Sequence, residues 1–135
     1  MTILNRVKDY MDEKIVAISP ESSATDAAKL MLGNTIGSLV VKKGEIYLGV
    51  LTEGDISRKV TALEKDPAKT LVVDIMVKDI IAVESRSTMR SAFLEMNKRK
   101  IRHIAVTENG RYVGILSIKD FANYYSSRVK KRAKT

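Results

Sequence analysis

The chain has no cysteine, a single histidine and no long apolar run. Without cysteine there are no disulfides, no thiol catalysis and no thiolate metal site, which fits a cytoplasmic protein. No apolar run reaches the roughly 18 residues that a membrane helix needs. The opening MTILNRVKDYMDEK also lacks the long apolar stretch of a signal peptide. No Ser-His-acid set is brought together by spacing, there is no metal-ligand cluster, and the Gly-Lys-Ser/Thr ending of a phosphate-binding loop is missing. These absences point away from an enzyme and toward a binding protein.

What is present is a globular composition: 44% hydrophobic and 30% charged residues, too apolar for a disordered chain. At 135 residues it forms one domain or two small halves sharing one core. The net charge of +8 suggests a nucleic-acid partner until it is located. Residues 7–59 carry −1, residues 72–124 carry +3, and the last eleven, 125–135, carry +5 with no acid. Much of the charge is therefore a tail.

Shifted by 65, residues 7–59 align with 72–124 without a gap. Identical pairs include Val7/Val72, Asp9/Asp74, Met11/Met76, Ala27/Ala92, Met31/Met96, Gly49/Gly114, Leu51/Leu116 and Asp55/Asp120. This is a duplicated supersecondary unit, with 60–71 as linker and 125–135 as basic tail. Each copy predicts a short strand (14–18, 79–83), then a helix after Ser22 or Ser87 with an apolar stripe: Ala24, Ala27, Ala28, Met31 in one, Met89, Ala92, Phe93, Met96 in the other. Gly33-Asn34 is the expected end of the first helix. Two strands come next around Lys43-Gly44 and Asn109-Gly110, then a closing helix, 53–64 or 118–128. The class is α/β (α+β), with β-α-β-β-α repeated.

Both closing helices start alike: Gly49-Val-Leu-Thr52-Glu-Gly-Asp55 and Gly114-Ile-Leu-Ser117-Ile-Lys-Asp120. One reading is a capping box, worth about 1 kcal/mol, with a glycine that relieves crowding. The other is a ligand corner. Free amides at a helix start suit phosphate, a hydroxyl can bond phosphate or ribose, an acid can accept from both ribose hydroxyls, and glycine lets a ligand approach. One geometry serves both.

The duplication, the element order and the repeated Gly-h-h-Thr/Ser-x-x-Asp resemble a tandem cystathionine-β-synthase (CBS) domain pair, a Bateman module, over roughly residues 4–127. That resemblance implies a stand-alone regulatory pair whose two units pack with pseudo-two-fold symmetry and form a disc-like homodimer. It also implies clefts between the units for AMP, ADP, ATP or S-adenosylmethionine as regulatory ligand, with no catalytic cofactor. By the same resemblance, one site uses Ser117 and Asp120 with Met11, Ile15 and Val16. The other uses Thr52 and Asp55 with Met76, Ile80 and Ile81. The entry to the second strand adds Gly37 and Ser38 in the first copy, and Lys100, Arg102 and His103 in the second. Only the second set is cationic, which marks Ser117/Asp120 as the better phosphate site; the same cations also read as a solvated helix end. The regulated protein is not encoded in these residues. Tyr124 and Tyr125, followed by five cations, leave nucleic-acid binding as the alternative function.

Overall fold

The computed structural model describes residues 4–133, with side chains as far as Arg128. The chain forms two compact units that do not coincide with the two copies of the repeat. Val16–Ile80 is one, here the central unit; the described residues of Met1–Ile15 with Ile81–Thr135 are the other, the composite unit. Each copy's opening segment thus packs on the other copy's hairpin.

In the central unit, β1 (Ala17–Ile18) runs parallel to β2 (Ser38–Lys43), and β2 runs antiparallel to β3 (Ile46–Thr52). Being the middle strand explains why Ser38–Val41 are all buried instead of alternating. Helix α1 (Ala24–Asn34) buries Ala24, Ala27 and Met31, one stripe at helical spacing. Its N-cap is Ser23, whose hydroxyl accepts from the Asp26 amide at 3.1 Å. The helix ends at Asn34, as expected, but glycine is not its left-handed cap. The left-handed residue is Thr35 (φ 53°), and Ile36 N–H then donates to the Met31 carbonyl while its side chain packs on the core. Returning Ile36 to the core sets the end, and Gly33 has open space around it. The hairpin turn is Gly44-Glu45, with positive φ at Gly44 alone among the two.

Thr52 leads straight into α2 (Glu53–Ile56), which widens into a π-helical turn over Ser57–Thr61. The expected helix over 53–64 therefore runs as an α turn continued by a π turn and stops at Thr61. After a turn comes α3 (Val72–Ile75), a helix that periodicity does not reveal in four residues. The nearby Val77 pairs with Val50 on the edge of β3.

The composite unit repeats the plan: β4 (Ala82–Glu84), α4 (Met89–Arg99), β5 (His103–Glu108) and β6 (Arg111–Ser117). Thr88 caps α4, and Lys100 (φ 55°) takes the left-handed place of Thr35. Asn109 and Gly110 both have positive φ, as an Asn-Gly hairpin requires. Here α5 runs unbroken over Ile118–Ala133, five residues beyond the predicted end. The N-terminal segment joins through a 3-10 turn, Val7–Asp9, and through Asp12, which pairs with Ile115 as Val77 pairs with Val50. Tyr10, Tyr124, Tyr125, Phe93 and Phe121 form one edge-to-face aromatic cluster.

Candidate functional site

The two strand-to-helix corners share a frame. In the composite unit, the Ser117 amide and hydroxyl donate to Oδ2 of Asp120 at 2.8 and 3.2 Å. In the central unit, the Thr52 amide and hydroxyl donate to Oδ2 of Asp55 at 2.9 and 3.1 Å. Both acids are buried, at 7% and 3% exposure. The capping reading is therefore correct as local structure, and in each case it uses only one carboxylate oxygen.

The second oxygen separates them. Oδ1 of Asp55 faces Lys59 Nζ at 3.2 Å and Arg58 Nη2 at 3.8 Å. Lys59 also donates to the Ile75 carbonyl at 2.9 Å. Asp120 has no ion pair among the described residues, because Asn123 and Tyr124 stand where Arg58 and Lys59 stand in the other copy. Burial pushes the Asp120 carboxyl above the ordinary aspartate range. The Ser117 amide and hydroxyl pull it down; Asp12 nearby adds an upward push, and Lys119 a downward one.

The repeated glycines have a steric cause. A Cβ on Gly49 would stand 2.5 Å from the Val77 carbonyl oxygen, and one on Gly114 would stand 2.8 Å from the Asp12 carbonyl oxygen and from Met11 Sδ. The space at these glycines is taken by the crossing chain segment, so the ligand-approach reading of Gly49 and Gly114 gives way to crowding. The same crossing brings Met11 to the Asp120 corner's strand and Met76 to the Asp55 corner's strand.

Ile15 and Ile80 end the two exchanged segments. Val16 belongs to the central unit and offers its carbonyl to Val40, while Ile81 belongs to the composite unit and offers its carbonyl to Ala105. His103 is half-buried directly across from Ser117, as Ser38 is across from Thr52. The Arg102 carbonyl accepts from the first amide of α5, and the Gly37 carbonyl from the first amide of α2. Lys98, Lys100 and Arg102 have no ion pair among the described residues, whereas Arg99 is held by Glu95. Gly37 also lines a groove of about 600 Å³ with Ala28, Met31, Leu32 and Ile56. Phe93 and Phe121 replace Ala28 and Ile56 in the composite unit, their rings 5.4 Å apart.

Sequence reasoning missed Arg58 and Lys59, although both lie three and four residues after Asp55, the spacing at which helical side chains meet. It missed Asp12 because that contact is non-local. It also offered Tyr124 for base stacking. Tyr124 is buried against Tyr10 at 5.1 Å and is bonded by Arg128, so the two tyrosines do not form an open stacking platform. The cations from Lys130 onward lie outside the described side chains. Among the described residues no helix is long and apolar enough to cross a membrane.

Comparison with known proteins agrees with this architecture. The family described as CBS domain matches twice, over residues 7–62 and 72–127. The CBS domain-containing protein YhcV of Bacillus subtilis (strain 168) is 27% identical over 119 residues, covering 88% of this chain and 84% of that protein. A solved structure of an uncharacterized conserved protein from Pyrococcus horikoshii superposes with a TM-score of 0.86 at 28% identity, covering 93% of this chain and 95% of the other. The inosine-5'-monophosphate dehydrogenase of Korarchaeum cryptofilum (strain OPF8) is 30% identical over 118 residues, 87% of this chain but 24% of the enzyme. The chain spans less than a third of several such longer relatives.

Proposed function

The chain belongs to the CBS-domain family, and on that premise we propose that it is a non-catalytic regulatory module that binds an adenosine-containing ligand at the Ser117–Asp120 corner. AMP, ADP, ATP and S-adenosylmethionine are the candidates. The observation that carries this reading is the carboxylate of Asp120 at the start of a 16-residue helix, which forms no ion pair among the described residues, whereas Asp55 forms two. The second oxygen of Asp120 accepts from the ribose hydroxyls. The Ser117 hydroxyl and the α5 amides that follow Ile118, whose own N–H is held by the Arg102 carbonyl, face the phosphate, with Lys100, Arg102 and His103 beside them. Met11 and Ile15 supply apolar surface for the base. Bound ligand stabilises one arrangement of the protein over others, and that shift in population is what a regulated protein reads, with a second copy of the chain as the expected companion.

Thermal unfolding with each of the four ligands tests this, on the parent protein and on Asp120→Asn, which keeps the size of the side chain. A ligand at 100 times its Kd adds about 2.7 kcal/mol, a shift on the order of 10 °C for a chain of this length. The shift is expected in the parent and lost in the variant. No shift with any of the four, in protein freed of bound nucleotide, would leave the Thr/Ser-x-x-Asp repeats as helix caps.

A further inference from the structure

We infer that the duplicated corner in the central unit is occupied by the protein's own cations, with Lys59 as the plug, so that the chain takes one adenosyl ligand and not two. This rests on ligand binding at the Asp120 corner. The second oxygen of Asp55, the counterpart of the one that accepts from ribose at Asp120, is already engaged by Lys59 at 3.2 Å with Arg58 at 3.8 Å. A ribose hydroxyl has to displace a charge-assisted contact there, whereas Asp120 forms no ion pair among the described residues.

Three further features make the plug a built part of the unit. Lys59 is held from both sides, by Asp55 and by the Ile75 carbonyl at 2.9 Å, so its ammonium sits between the closing helix and the segment that carries Met76. Arg58 and Lys59 lie within the π-helical turn Ser57–Thr61, where the helix widens; the composite unit has unbroken α-helix at the matching place. The equivalent tie in the composite unit joins Tyr124, counterpart of Lys59, to Tyr10, counterpart of Ile75, by an edge-to-face contact at 5.1 Å. That aromatic tie fastens the same two elements through rings instead of through an ion pair with the acid. One copy has the tie and the carboxylate separate; the other has merged them.

Calorimetric titration of the whole protein with the ligand that raises its unfolding temperature tests the inference by stoichiometry. One equivalent per chain is expected, unchanged in Asp55→Asn and abolished in Asp120→Asn. The double variant Arg58→Gln/Lys59→Gln is expected to titrate to two equivalents, the second lost when Asp55→Asn is added. Two equivalents in the parent, loss of binding in Asp55→Asn, or a double variant that stays at one would each overturn the plug. A second readout needs no ligand: labelling of lysines with an amine-reactive ester, followed residue by residue. Lys59 is expected to react several-fold more slowly than the exposed Lys119, and to speed up in Asp55→Asn. Equal rates in the parent would overturn the plug even where no adenosyl compound binds, whereas slow labelling without ligand binding would retire the ligand reading and keep Lys59 on Asp55.

Discussion

Asp55 and Asp120 sit in two copies of one corner, each held by the same pair of donors three residues earlier, yet one forms two ion pairs and the other none among the described residues. The difference lies one helical turn downstream, where Arg58-Lys59 stands in one copy and Asn123-Tyr124 in the other. Duplication copied the cap, which the backbone needs in both places. The next helical turn was free to diverge, because the helix can be fastened to the crossing segment either by an ammonium on a carbonyl or by two rings. The choice of fastener then decides whether the carboxylate keeps an oxygen for something else.

The largest effect should come from removing the aromatic fastener. Tyr124→Ala opens a cavity beneath Tyr10 and is expected to cost about 3 kcal/mol or more, whereas Lys59→Ala, whose side chain is 40% exposed, should cost about 1 kcal/mol or less. Urea midpoints of the two variants measure this; equal losses would mean that the two ties are energetically the same device.

Next in size come the crossings. Gly49→Ala meets a carbonyl oxygen at 2.5 Å and is expected to lose about 1–3 kcal/mol. Gly114→Ala should lose somewhat less, since its nearest contacts stand at 2.8 Å and one of them is the flexible Met11 thioether. Gly33→Ala, in open space within α1, should gain about 0.5–1 kcal/mol. A Gly114 variant less stable than the Gly49 variant would reverse the view that the central unit's crossing is the tighter one.

The smallest expected effect is a slope. Burial raises the Asp120 carboxyl, so the folded chain holds that proton more tightly than the unfolded one. Its contribution is fully present below the ordinary value near 3.9 and is lost as pH rises through the raised folded value. Asp120→Asn should therefore flatten the fall in stability from about pH 4 toward neutrality. Unfolding midpoints across that range check it, and an unchanged slope would show that burial is not what distinguishes Asp120.

The duplication, the order of strands and helices, the Asn-Gly turn and the repeated Thr/Ser-x-x-Asp were all legible in the residues, since each depends on neighbours close in sequence. Less of the corner was legible. The Arg58-Lys59 pair lay at helical spacing from Asp55 but stood in a stretch read only as the closing helix. Asp12, the tie from Tyr10 to Tyr124 and the left-handed residues that close the first helices were not visible. Thr35 and Lys100 adopt the left-handed turn because Ile36 and Ile101 must return to their cores, and a core is not a local property.

Sequence by itself determined the two-fold repetition, the β-α-β-β-α plan and the caps, because periodicity and capping act within a few residues of one another. Tertiary structure alone decided that the copies exchange their opening segments, that the glycines are required by a crossing chain, and that the acids part company at their second oxygens. Those outcomes depend on what lies across space from a residue. Residues 65 apart in sequence can share a motif while facing different neighbours.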